Sequence, residues 1–276
     1  MTQEGFLYEA NVANALKKVK FGLVKKNYIP AGASSDRPDL DLTINGVDYG
    51  CELKKDLADA GSLVIKYNNS KNDVRIGDTG GSKEKEFMKS LGEKNGVLTA
   101  IKRKWLQGQK RLWIAEDRDA KWLQRWEKAG RPNVEERYKQ DLENSKDILF
   151  DLPDTSIEKY YNLKDTYYIN VGTHGFFLLG GKDPAKMQCT APKVPLWSRS
   201  HKCVLRIRIQ SKGVSKALLL EERNKKPTGS QGYQITMSMT FKAVKKSPYN
   251  IGPVIKGSAV VMEHQIKLPD SHYKTA

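Results

Sequence analysis

Between residues 39 and 54 the chain places three carboxylates and a lysine where they could hold a divalent cation and handle phosphate. Residues 39–45 alternate, with Leu40, Leu42 and Ile44 on one side and Asp39, Asp41 and Thr43 on the other. Asn45-Gly46 is the strongest short-range hairpin signal, and a returning strand runs from Val47 to Lys55. With Asn45 and Gly46 as the loop of a type I′ turn, Ile44 faces Val47 and Asp39 falls opposite Glu52. Directly opposed residues share a face, and alternation adds Asp41 and Lys54 to it. Leu40, Leu42, Cys51 and Leu53 then point the other way, into a core. Three clustered carboxylates repel one another. A divalent cation relieves that repulsion, and ligands that are all oxygen suit Mg²⁺, with Mn²⁺ as a substitute. Lys54 would hold a water or stabilise phosphate charge beside the metal. A solvated hairpin face with one salt bridge accounts for one or two of these charges, not for four converging.

The elements that must position this hairpin follow from periodicity. Residues 4–20 predict a helix, with Phe6, Ala10, Ala13 and Leu16 at helical spacing and lysines in the last turn. Glu9 shares a face with Ala13 and Leu16, and a carboxylate on an apolar face needs a partner. Residues 62–67 read as a third strand. From about 83 to 146 the pattern is helical and charged, and it carries Trp105, Trp113, Trp122 and Trp126, whose spacing suggests core packing. Gly130-Arg131-Pro132 marks a break. Residues 166–179 read as two apolar strands around Gly172–Gly175. Three further strands are expected at 204–210, 215–221 and 233–243; in the last, Tyr233, Ile235, Met237, Met239 and Phe241 alternate with polar residues.

Arg37-Pro38-Asp39, followed at a short interval by Glu52-Leu53-Lys54, resembles the signature of the PD-(D/E)xK nuclease superfamily, the restriction-endonuclease-like fold. In that family a hairpin presents an Asp and then a (D/E)-x-K, usually after a helix bearing a further Glu. Glu9, in Gly5-Phe6-Leu7-Tyr8-Glu9, fits that last role; Glu4 is a rival that precedes the helix body. The family's Asp is Asp39 or Asp41, and Asp39 is favoured because it follows Pro38 and faces Glu52. The resemblance covers roughly the first 70 residues, and the strands at 166–179 would complete the family's sheet. It implies an α/β fold with a mixed central sheet and metal-dependent hydrolysis of phosphodiester bonds in DNA, of restriction or phage and mobile-element type. Asp39 and Glu52 would ligate Mg²⁺, Asp41 helping and Glu9 acting directly or through water, while Lys54 orients the attacking water. The alternatives are a non-catalytic DNA-binding protein with a nuclease-like core, and an RNA-directed nuclease.

Charge points to the partner. The chain of 276 residues carries 48 Lys and Arg against 32 Asp and Glu, a net +16. Residues 181–262 hold 16 basic and 3 acidic residues, whereas residues 1–180 hold 30 and 27. Concentrated positive charge suits a polyanion, here duplex or branched DNA. Arg206, Arg208, Lys225, Lys226, Lys242, Lys245 and Lys246 are candidate backbone contacts, which position nucleic acid without reading sequence. The expected organisation is a core over 1–180 with the helical insertion at about 83–146, and a basic β-rich region over 181–276, as a DNA-binding subdomain packed on the core. No apolar run approaches a membrane span. Cys51, Cys189 and Cys203 form no CxxC pattern, which fits a reducing cytoplasm. The four histidines lack metal-ligand spacing, and 77–81 lacks a phosphate-loop pattern. Double-strand cleavage with one site per chain would favour a homodimer.

Overall fold

The computed structural model describes residues 3–18, 38–44, 47–68, 73–106, 112–115, 120–184, 194–227, 232–243, 245–247, 253–256 and 259–262. The chain begins with helix α1 (Gln3–Lys18), then the hairpin strands β1 (Leu40–Ile44) and β2 (Val47–Lys54). Strands β3 (Gly61–Asn68) and β4 (Asp73–Ile76) follow, then helices α2 (Lys83–Lys94), α3 (Val97–Ile101), α4 (Ala120–Lys128) and α5 (Val134–Asn144). Next come β5 (Ile148–Asp151), α6 (Thr155–Asn162), β6 (Thr166–Val171), β7 (Gly175–Leu178) and α7 (Trp197–Ser200). The last elements are β8 (His201–Ser211), α8 (Val214–Asn224), β9 (Tyr233–Ala243), β10 (Pro253–Lys256) and β11 (Ala259–Met262). Among the described residues no helix is long and apolar enough to cross a membrane.

The architecture is mixed α/β with two main sheets. The first has the order β1-β2-β6-β7; β2 and β6 run parallel, and the outer pairs are antiparallel. A parallel neighbour needs a long crossover, and here that crossover contains every element from β3 to α6. The second sheet, β4-β3-β9-β8-β5, is antiparallel throughout. Leu63, Ile65, Leu205, Ile207, Met237 and Met239 from it join Ile169, Val171 and Phe177 of the first sheet in one core.

The hairpin register is the expected one: Leu40 pairs with Cys51, Asp41 with Gly50 and Ile44 with Val47. Asn45 and Gly46, which predict it, lie outside the described residues. Helices α2 to α5 fill the expected helical stretch between β4 and β5, and Trp105, Trp113 and Trp122 are buried. Asn133 caps α5 with a full capping box to Glu136, satisfying first-turn N–H groups that have no helical partner. The strand expected at 215–221 is instead α8. Val214, Ala217 and Glu221 are buried at helical spacing, and the segment from Ser215 on has no β-branched residue to disfavour a helix. Strands β8 and β9 belong to the expected 181–276 region, yet they pair with β5 and β3, so one sheet spans the boundary at 180.

Gly50 fixes how the hairpin meets β6. Its N–H donates to the Asp165 carbonyl at 3.2 Å, and the β2–β6 ladder shifts register between Gly50 and Cys51. A Cβ here would lie 2.6 Å from the Asp165 oxygen and 2.9 Å from Pro38 Cβ. Gly50→Ala should therefore cost about 1–3 kcal/mol, as overpacking does, read as a lower urea midpoint; an unchanged midpoint would show that the contact tolerates a methyl group.

Candidate functional site

The β2 alternation points Cys51 and Leu53 to the side covered by α1 and Glu52 and Lys54 to the opposite side. On the α1 side, Asn170, paired with Leu53 in the ladder, donates to the Tyr8 hydroxyl at 3.0 Å. On the other, Glu52 pairs with Ile169 and Lys54 with Val171, both members of the main core. The site is therefore set into the interior rather than on a solvated hairpin face. Glu52 is 2% exposed and Asp39 7%.

Each buried carboxylate has a different solution to its burial. Asp39 lies just before the start of β1, so its carboxylate, rather than a ladder carbonyl, accepts the Leu53 N–H at 2.9 Å. Glu52 is flanked by two ammonium groups, Lys54 at 2.5 Å from Oε1 and Lys164 at 3.5 Å from Oε2. Burial alone would raise Glu52, but the charges of Lys54 and Lys164 outweigh it and hold the carboxyl below its usual value. Asp39 goes the other way. Burial first and the Glu52 charge second push it up to about 7, with Lys54 offsetting only part and Glu9 adding to the rise. Lys54 would lose its proton more readily by burial, yet Glu52, Asp39 and Glu9 together hold it well above the ordinary lysine range.

The structure brings Asp39, Glu52, Lys54 and Glu9 within electrostatic reach of one another. Glu9 is buried on α1 beside Tyr8 and acts on both Asp39 and Lys54. Its rival Glu4 is exposed and pairs at 2.7 Å with Lys55, on the other side of β2 from Lys54. Asp41 is half-buried opposite Gly50.

The seven basic candidates are dispersed. Lys242, Lys245 and Lys246 are exposed near the His201 end of β8, and Lys242 is directly opposite Lys202. Two backbone bonds tie this corner down: Lys245 donates to the Ser200 carbonyl at 3.0 Å and Ser247 to the His174 carbonyl at 2.8 Å. His174 belongs to the β6–β7 turn, whose Gly172 donates to the Lys54 carbonyl at 2.9 Å. Lys225 and Lys226 are exposed and close α8, a helix that leaves β8 at its other end. Arg206 and Arg208 grip Asp59 at 2.9 and 3.0 Å.

Lys164 and Tyr161 escape sequence reasoning. Lys164 sits in Asn162-Leu163-Lys164-Asp165, a short polar turn that gives no periodic or motif signal. It reaches Glu52 only because β6 pairs in parallel with β2. The Tyr161 hydroxyl is buried near Glu52, whose charge together with burial raises it, but it makes no aligned hydrogen bond.

Among the described residues no three His, Cys, Asp or Glu side chains gather into a ready-made metal cage. Mg²⁺ asks for less: one or two carboxylates, with waters and substrate phosphates completing its shell. The residues present fit that demand. Glu52 Oε2 is buried without a hydrogen bond, burial and the Glu52 charge oppose ionisation of Asp39, a repulsion that a cation between the two would relieve, and both donors are oxygen.

No protein-family model matches the chain, and neither does any curated protein sequence. Among solved structures it is similar to HhaI endonuclease in complex with DNA, at 10% sequence identity and a TM-score of 0.40, over 88% of this chain and 92% of that one.

The raised Asp39 has a consequence for stability. Between the unfolded value near 3.8 and the folded value of about 7, the folded chain keeps a proton that the unfolded chain releases. The stability from this group is complete below the window and is lost as pH rises through it. Without divalent metal, the unfolding temperature should fall between about pH 4 and pH 7 and level off above that. Asp39→Asn should remove much of that fall. The same pH slope in both proteins would place the cause elsewhere.

Proposed function

We propose that this chain is a Mg²⁺-dependent endodeoxyribonuclease of restriction or mobile-element type, hydrolysing phosphodiester bonds through Asp39, Glu52, Lys54 and Glu9. The observation that carries the reading is the joint burial of Glu52 and Asp39 on one hairpin with the Lys54 ammonium 2.5 Å from Glu52 Oε1. Asp39 and Glu52 would hold the metal, with Asp41 helping and Glu9 acting directly or through water. Bound there, Mg²⁺ would neutralise phosphate charge and lower the pKa of a water.

Lys54 is held protonated by its carboxylate neighbours, so it serves as a donor and a charge, not as a base. Its side chain is 18% exposed, against 3% for Glu52, so it is the more open end of the pair. From there its N–H groups would orient the attacking water and meet the negative charge that builds on the phosphate in the transition state. Lys242, Lys245 and Lys246 would hold the phosphodiester backbone beside the turn that abuts Lys54. Opposed like charges such as Lys202 and Lys242 destabilise a sheet, and a polyanion would relieve them.

A non-catalytic DNA-binding reading draws on one observation: both Glu52 oxygens already face lysines, Oε1 Lys54 and Oε2 Lys164. The two readings separate on cleavage. Purified protein should cut DNA with Mg²⁺ and not with EDTA. Lys54→Ala should lose on the order of 10²–10⁴ in rate, the usual loss for a positioned donor and its charge, while still binding DNA. Activity of Lys54→Ala within about threefold of wild type, under 1 kcal/mol, would contradict the catalytic role and favour the binding protein.

A further inference from the structure

Lys164 has no task in the reading above, yet the fold goes to some length to place it. It is 8% exposed, and its ammonium lies 3.5 Å from Glu52 Oε2, too far for a good hydrogen bond, and 5.7 Å from the centre of the Tyr161 ring. A buried ammonium is expensive unless a charge or hydrogen bonds compensate it. The turn that carries it is fastened on every side. Lys164 donates its N–H to the Tyr161 carbonyl at 2.9 Å, and its own carbonyl accepts from the Thr166 hydroxyl at 3.1 Å. The next residue, Asp165, is held at φ 51° and bonded to Gly50 of β2. Asp is one of the few residues besides glycine that takes up this left-handed conformation readily, so the turn closes without a glycine. Across the gap, Glu52 Oε2 and Tyr161 Oη are buried without a hydrogen bond.

Resting on the metal-site reading, we propose that Lys164 is a positioning residue: a built-in counter-cation that keeps the Glu52 charge in the interior before a divalent cation arrives, and that weakens the site's hold on that cation. The ammonium and the metal compete for one carboxylate. Lys54 takes Oε1, so Oε2 is the oxygen Glu52 has left to offer, and Lys164 stands over it. Removing the Lys164 charge frees Oε2 and takes away a repulsion on the incoming cation.

Two measurements on the full chain test this. The first titrates Mg²⁺ calorimetrically at pH 8 without DNA, into wild type, Lys164→Met, Lys164→Arg and Glu52→Ala. Lys164→Met should bind Mg²⁺ at least about tenfold tighter, a difference of about 1.4 kcal/mol. Lys164→Arg should stay within about threefold of wild type, and Glu52→Ala should lose binding. Equal or weaker binding by Lys164→Met, with wild-type binding still dependent on Glu52, overturns the counter-cation and leaves the metal site standing. Absence of Glu52-dependent binding in wild type overturns the metal site itself.

The second measurement is a stability cycle, which a mere packing role would not move. Lys164→Met should destabilise the protein when Glu52 is present and cost little in a Glu52→Gln background. A Lys164→Met chain that folds only with Glu52→Gln supports the same conclusion. An equal loss in both backgrounds, or failure of both to fold, would show that Lys164 acts by filling space.

Discussion

An ionised carboxylate with 2% of its surface exposed is the constraint around which this fold is arranged. Left alone in such a place, Glu52 would take up a proton. It is kept charged by lysines arriving from two directions: Lys54, two residues on along the same strand, and Lys164, from the turn before β6. The second exists only if β6 lies parallel to β2, and that pairing requires the whole intervening chain to fold as a crossover. A local hairpin motif thus depends on elements more than a hundred residues away.

The second sheet is fastened to the elements that lead into and out of the first. Tyr160 of α6 packs so tightly on Gly61, at the start of β3, that a Cβ there would run into its hydroxyl. The segment between Lys54 and β3 is held by Asp59, clasped between Arg206 and Arg208 of β8. Farther out, the buried Arg137–Glu221 pair at 2.6 Å joins α5 to α8. The basic last third is therefore part of the scaffold as well as a charged surface. Lysines at 242, 245 and 246 remain exposed, whereas the two arginines are engaged within the protein.

Local signals foretold local geometry. A two-residue turn signal and strict alternation give the register that puts Asp39 and Glu52 at neighbouring positions, because strand period and hairpin loop length leave no freedom. The carboxylate on the apolar face of the first helix, Glu9, is legible from helical spacing, an equally local signal. What the sequence hid is non-local or ambiguous. The run Ala217–Glu221 is apolar at nearly every position, which suits a buried strand or a helix equally until the burial of Val214, Ala217 and Glu221 decides it. Arg206 and Arg208 read as free cations because Asp59 is distant in sequence. Lys164 lies in a turn with no pattern, and only tertiary pairing gives it meaning.

The central claim is that Asp39 and Glu52 form one cation site inside the hairpin. Anomalous scattering from a crystal soaked in Mn²⁺ tests it most directly. The predicted result is a peak about 2.1 Å from an oxygen of each carboxylate, with Lys164 drawn back from Glu52 Oε2. Millimolar Mn²⁺ that leaves no peak between the two residues, with Glu52 still clasped by Lys54 and Lys164, would contradict it.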